Sequence, residues 1–296
     1  MSQKHNCYIM KTISNIFFII SLFTTTNVLA GNPVVYNPQD SIEVEKWLKE
    51  APKYAPSNEL ALFFSKKMLN RPYVAFTLER SEKEQLIINL RELDCTTLVE
   101  NSAALAITAR QGGTSFSEFC NTLCRLRYRD GKINDYSSRL HYFSDWIIDN
   151  EKKGLVKDIG KDGEYPFTAK QIIDATFMTT NPQYYKHLKN DTAMAAKIAE
   201  TEKALCGQTV NYIPKALLNK SENELNVIKN GDIIALVTSK KGLEISHVGI
   251  AVWQQGKLHL LNASSLKKKV ISDTLTLYEY QKTRPTQLGI RVVRLK

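Results

Sequence analysis

The apolar pattern of this chain changes character near residue 210, and that change limits the folds open to it. Before it, apolar residues recur at helical spacing. SIEVEKWLKE (41–50) sets Ile42, Val44, Trp47 and Leu48 on one side. SNELALFFSKKML (57–69) repeats the pattern with Leu60, Phe63, Phe64 and Leu69, with Ser57 as its N-cap. NRPYVAFTLE (70–79) reads as a Pro-led segment turning into a strand. CTTLVENSAALAITAR (95–110) reads as a third helix, with Asp94 at the N-cap position and the Gly112, Gly113 pair closing it. From about 114 to 206 the chain is mostly helical and polar. After 210 the runs become strand-like. NGDIIALVTS is a Gly-Asp turn before an apolar run, and 246–253 and 257–262 are two strands joined by a Gln-Gln-Gly turn. GIRVVRL at the end alternates with period two. Helices first and an antiparallel sheet after predict an α+β fold.

The first thirty residues stand apart. Lys4 and Lys11 are the only charges before Gly31, an apolar stretch runs from Ile13 to Phe23, and Val28 and Ala30 fit a small-residue cleavage rule. That order is the one a secretory signal uses, with the cut after Ala30. An uncleaved N-terminal anchor is the alternative, although the run is short and Thr-rich for a span. The reading is therefore an exported protein of periplasm or cell envelope, with no stable membrane span once 1–30 is removed. Residues 31–296 then form a single domain with N-terminal helices and a helical insertion at about 114–206. Removing the two leader lysines from the formal charge of +10 leaves +8, which suits an anionic partner such as the cell wall. The basic residues are scattered. The dense run LKKKV (266–270) reads as a solvated turn, so nucleic acid is not an expected partner.

Four cysteines remain after the leader: Cys95, Cys120, Cys124 and Cys206. Cys120 and Cys124 lie one helical turn apart, compatible with a strained bridge, half a metal site or two packed thiols. No CxxC pair and no HExxH is present, so no metal is expected. Cys95 sits where the capped helix begins. Free N–H groups and the positive end of the helix dipole favour a thiolate there. Taken alone, such a Cys is more often a core residue. His247, in EISHVGIAV, follows two polar positions, Glu244 and Ser246, and so faces an edge or a cleft. A neutral imidazole there takes a thiol proton and returns it to a leaving amine. Asn262 ends the next strand, where it holds the imidazole tautomer as in a Cys-His-Asn set.

NRPYVAF (70–76), ELDCTTLVE (92–100), NGDIIAL (230–236), SHVGIAV (246–252) and LLNASS (260–265) occur in that order. Together they resemble the Pro-Tyr, Asp-Cys-Ser/Thr, Gly-Asp, His-Val-Gly-Ile and His/Asn-Ala-Ser elements of NlpC-type cell-wall hydrolases. That superfamily is papain-like, a Cys-bearing helix packed on a small antiparallel sheet that carries the His. YRDGKINDYSSRLHYFSDWIIDN (128–150) looks like the insertion of a subfamily long carried as a domain of unknown function and now recognised as N-acetylmuramoyl-L-alanine amidases. The resemblance covers roughly residues 55–296. It implies Cys95 as nucleophile, His247 as base and Asn262 as the third member, where many relatives have His. It implies Tyr73 beside the Cys as an oxyanion helper, or else a core aromatic. Arg139, His141 and Tyr142 of the insertion, with Ser246, are candidate substrate contacts. Arg139 is expected to meet a substrate carboxylate or to form a salt bridge inside the insertion, and His141 is a second candidate histidine. The implied substrate is peptidoglycan or a muropeptide, cut at the muramoyl-L-alanine bond without metal or cofactor. Three rivals share these residues: an endopeptidase cutting after D-Glu, an inert wall-binding module and a lipid acyltransferase.

Overall fold

The computed structural model describes residues 25–29 and 32–296. It is an α+β structure with eight α-helices among the described residues and a large antiparallel sheet. The helical half comprises α1 (Pro38–Glu50), α2 (Ser57–Lys67), α3 (Cys95–Arg110) and α4 (Phe116–Arg127). Then come α5 (Phe143–Lys152), α6 (Phe177–Thr180) and α7 (Thr192–Leu205), with α8 (Leu277–Lys282) near the end. Strands β1 (Thr25–Leu29), β2 (Asn32–Tyr36) and β3 (Leu86–Ile87) form a small sheet. The main sheet takes β4 (Val156–Asp158), β5 (Ala169–Ile172), β6 (Thr209–Pro214), β7 (Ile233–Thr238), β8 (Ile245–Gln254), β9 (Lys257–Ser264), β10 (Lys269–Ser272) and β11 (Gln287–Leu295). Its order is β10-β9-β8-β7-β11-β6-β5, with β4 also paired to β11.

β7 is buried at every position. Ile233, Ala235 and Val237 join the core under the helices, while Ile234 and Leu236 join a second core with Leu225, Ile228 and Leu277. Both faces of the sheet are covered, so the strand reads as a continuous apolar run rather than an alternation. α3 packs between α2, α4 and strands β8 and β9, and its residues 97–108 are buried. Its small side chains, Ala103, Ala104 and Ala106, let neighbours approach closely. The Ser65 hydroxyl of α2 donates to the Ser102 hydroxyl of α3 at 2.9 Å. The turn between β8 and β9 has positive φ at Gln255 (50°) and Gly256 (70°), the type I′ geometry that matches strand twist.

Several local expectations need correction. α1 begins at Pro38 rather than Ser41, because Asn37 caps it, accepting from Gln39 N–H, and proline fits the first turn. Ile42, expected inward, is 60 % exposed. Ser57 is the first helical residue of α2 and not its cap; its hydroxyl donates instead to the Lys296 carbonyl. Residues 70–79 form no strand. Pro72 bridges Lys269, Tyr73 bridges Leu93, and a 3-10 turn follows at Thr77–Glu79, since the chain is pinned to two different neighbours in succession. The stretch 114–206 is not only helical, since β4 and β5 add strands to the main sheet. Cys120 and Cys124 are free, buried thiols. The expected leader lies outside the described residues except for 25–29, which pair with β2. Among the described residues no helix is long and apolar enough to cross a membrane.

Candidate active site

The N-terminus of α3 is closed by a capping box. The Asp94 carboxylate accepts from Thr97 N–H at 2.8 Å, and the Thr97 hydroxyl oxygen accepts from Asp94 N–H at 2.9 Å. Leu98 N–H goes to the Asp94 carbonyl. This leaves the Cys95 and Thr96 amides of the first turn with no partner inside the helix. Cys95 is half-buried and close enough to His247 that its charge raises the imidazole pKa. His247 stands near the start of β8, just past an irregularity in the β7–β8 register. Its Nε2 lies 3.0 Å from Asn262 Oδ1 on β9. Asn262 is 1 % exposed, and its amide NH₂ donates to the Leu260 carbonyl, which turns Oδ1 toward the imidazole. An oxygen at Nε2 requires the proton to sit there, which leaves Nδ1 as the nitrogen free to accept a proton. Burial alone would lower the His247 pKa. The influence of Cys95 and the bond with Asn262 outweigh burial, and the net shift is upward.

Three hollows meet at this pair. One, of about 180 Å³, is lined by both Cys95 and His247 and by the aromatic residues Tyr142, Phe143, Trp146 and Phe177. A second, of about 310 Å³, holds Tyr73, Phe76 and Tyr136 beside Cys95. A third, of about 400 Å³, opens on His247 and Asn262. Burial, with the nearby Cys95 and Asp94 charges, raises the Tyr73 pKa, keeping its hydroxyl protonated. Ser246 lines two of the hollows and donates to the Leu236 carbonyl at 3.3 Å.

The insertion residues reach the cleft in a more committed state than their sequence suggests. Arg139 is bound by Glu84 at 3.0 and 2.7 Å and by Glu79 at 2.7 Å. Both carboxylates come from the 70–94 segment, so the ion pair ties the insertion to the segment before α3. Burial works against the Arg139 charge, but these two partners hold its pKa above the ordinary value. His141 lines two hollows and donates from Nε2 to the Tyr136 carbonyl at 2.8 Å. Burial, with help from Arg139, lowers its pKa to about 3, so it is a neutral wall of the cleft. The Tyr142 hydroxyl donates to Glu202 at 2.6 Å and accepts from Met178 N–H, which anchors α6 and α7 to the rim. Sequence reasoning missed Tyr185, which lines two hollows, and Lys240, Tyr280, Arg284 and Gln287, which line the third. Tyr185, Lys240 and Arg284 lie in turns, Tyr280 is on the short α8 and Gln287 is the first residue of β11, where no periodicity marks them. Among the described residues no group of three or more His, Cys, Asp or Glu is arranged to hold a metal ion.

A family model described as N-acetylmuramoyl-L-alanine amidase-like (AmiA-like) matches residues 63–290. The chain belongs to this family. As an amidase-like family member it is a hydrolase. Two solved structures of an N-acetylmuramoyl-L-alanine amidase from Bacteroides uniformis are each 40 % identical to it, with TM-score 0.76, covering 81 % of this chain and 99 % of theirs. A Bacteroides fragilis protein described as a candidate xylanase is 45 % identical, with TM-score 0.74, covering 79 % of this chain and 99 % of its own. A Legionella pneumophila protein at 24 % identity and TM-score 0.64 shares the fold. None of the curated proteins compared with the amidase-like chain matches it.

Proposed function

We propose that the chain is an exported cysteine amidase with a papain-like, NlpC-type core that hydrolyses the N-acetylmuramoyl-L-alanine bond of peptidoglycan fragments. Residues 31–296 form its single catalytic domain. The observation that carries this reading is Cys95 at the head of α3 beside a His247 that is hydrogen-bonded to Asn262, where three hollows meet. His247 Nδ1 takes the Cys95 proton and Sγ attacks the lactyl carbonyl carbon. The oxyanion is met by the Cys95 N–H at the head of α3, with the Tyr73 hydroxyl as second donor. The C–N bond breaks as His247 returns the proton to the L-Ala nitrogen, releasing the peptide amine and leaving a thioester. Water then gives a proton to His247, attacks the thioester carbon and expels the thiolate. Asn262 holds the imidazole in the tautomer that both steps need.

The name carried by the Bacteroides fragilis neighbour points to glycoside hydrolysis, which takes two free carboxyl groups flanking the bond. The carboxylates near the cleft are otherwise engaged. Glu79 and Glu84 hold Arg139, Asp94 caps α3, and Glu244 accepts from Ser144 and Ile245 N–H groups. The glycosidase reading needs two of these carboxyl groups free, and the cysteine reading needs none.

The test is mass spectrometry of purified muropeptides incubated with wild-type protein and with Cys95→Ala. Free stem peptide plus intact sugar, lost in the variant, is the expected result. Cleavage after D-Glu would move the bond to an endopeptidase. No Cys95-dependent product from any muropeptide would sink the cysteine-amidase reading.

A further inference from the structure

The hollows do not meet the Cys95–His247 pair in the same way. The one holding Tyr73 and Phe76 touches Cys95 and not His247, whereas the 400 Å³ one touches His247 and not Cys95. In amide cleavage by a thiolate, sulfur bonds the acyl carbon and the imidazolium protonates the leaving nitrogen. The amine half of the substrate therefore belongs on the His247 side, and of the two hollows that His247 lines only the 400 Å³ one carries Lys or Arg side chains.

That hollow is lined by two cations. Lys240 and Arg284 both line it, and among the described residues neither forms a salt bridge with a carboxylate. Arg284 lies over the Tyr280 ring, 3.8 Å from its centroid, and donates to the Tyr280 carbonyl. A guanidinium has five donors, so most of its fork stays open. Gln287 lines the same hollow at 6 % exposure, and its Oε1 has no hydrogen-bond partner. A buried acceptor at this place can take an N–H from a bound peptide. Ser264 and Ser265 add hydroxyls to the wall. The charges here are within reach of the reacting atoms: Arg284 pulls down on the His247 pKa, and Cys95 pushes up on that of Tyr280. Arg139, the cation that the sequence suggests for a substrate carboxylate, is already closed between Glu84 and Glu79.

We propose that this hollow is the subsite for the leaving peptide, with Arg284 and Lys240 binding the free α-carboxylate of its second residue and Gln287 Oε1 accepting a peptide N–H. The proposal rests on the amidase reading, which sets the peptide on the amine side. In a wall stem peptide the second residue is D-Glu, joined through its side chain, so its α-carboxyl is free or amidated. The subsite selects the free acid.

The experiment is calorimetry of Cys95→Ala protein with a muramoyl tripeptide in two forms, D-Glu α-carboxylate and D-Glu α-carboxamide. A charge-assisted two-point contact predicts about tenfold or more tighter Kd for the acid. That preference disappears in the Arg284→Gln, Lys240→Gln background and returns in part with Arg284→Lys, which also guards against a folding defect. Equal affinity for acid and amide, or a preference that survives the double substitution, overturns the subsite. Wild-type cleavage of the same two compounds reports separately on the amidase reading. Cleavage without a binding preference removes the subsite alone, and a preference without cleavage at the muramoyl bond supports the subsite while removing the amidase.

Discussion

Replacing Asn262 by Ala tests the site at its least accessible member. The side chain is 1 % exposed and its Oδ1 accepts from His247 Nε2 at 3.0 Å. Removing it leaves a half-buried imidazole N–H with no acceptor, which costs about 1–3 kcal/mol. The lost bond held one tautomer, so the loss falls on the reactive arrangement more than on substrate binding. At about 1.4 kcal/mol per factor of ten, kcat drops by about 10- to 100-fold, with a smaller change in KM. The pH profile moves as well. Asn262 is one of the influences that raise the His247 pKa. In a thiolate–imidazolium pair the alkaline limb marks loss of the imidazolium proton. Asn262→Ala shifts that limb to lower pH, and Asn262→Asp, which adds a negative charge beside Nε2, shifts it higher. The assay is stopped-time chromatography of stem peptide released from muropeptide across pH 5 to about 9, with far-UV dichroism to show that the variant is folded. A folded Asn262→Ala protein within about threefold of wild-type kcat would refute the assigned role.

Three further outcomes are expected. Arg139→Met strands the Glu84 carboxylate, 3 % exposed, and Glu79, so urea unfolding should show about 3–5 kcal/mol lost; a loss below about 1 kcal/mol would mean that the pairs are dispensable. His141 is held neutral when folded, with a pKa of about 3 against about 6.5 unfolded. The unfolded state then binds more protons between those values, so this group's contribution is complete above about pH 6.5 and is lost as pH falls toward 3, at up to about 1.4 kcal/mol per pH unit. Comparing wild type with His141→Gln by denaturant titration at pH 7 and pH 5 isolates that slope, and identical pH dependence would contradict it. Burial pushes the Cys120 thiol up to about 12, so a thiol reagent at neutral pH should modify half-buried Cys95 in the folded protein and reach Cys120 only after unfolding, as peptide mapping would reveal.

Local signals made much of the candidate site's geometry legible. Asp94 before a Thr at the third helical position is a capping box, and it fixes Cys95 at the head of α3 whatever packs around it. The Gln-Gln-Gly turn joins β8 to β9 and so brings the strand carrying Asn262 beside the one carrying His247. Both are short-range facts, decided by side chains within a few residues of one another. The Gly-Asp element near 231 was legible as a turn, but its reason is distant. At Gly231, φ is +84° and a Cβ would stand 1.7 Å from the Asn58 carbonyl oxygen, while Asp232 takes a two-point bond from Arg294 at the far end of the chain.

What only the tertiary structure decided concerns partners drawn from separate segments. Arg139 reads in sequence as a free cation near a cleft, and only folding reveals that Glu79 and Glu84, 60 and 55 residues away, claim its guanidinium. Arg284 and Gln287 carry no sequence signal, because one sits on the turn after a six-residue helix and the other is the first residue of β11, held there by Thr238 of β7. β4 and β5 likewise read as parts of a helical stretch, since strands of three and four residues are too short to show a period and exist because β11 and β6 offer them edges. Caps, turns and amphipathic helices are fixed by neighbours in the chain, so the sequence determines them. Charge pairing and cleft walls are fixed by neighbours in space, and those exist only once the chain has closed around α3.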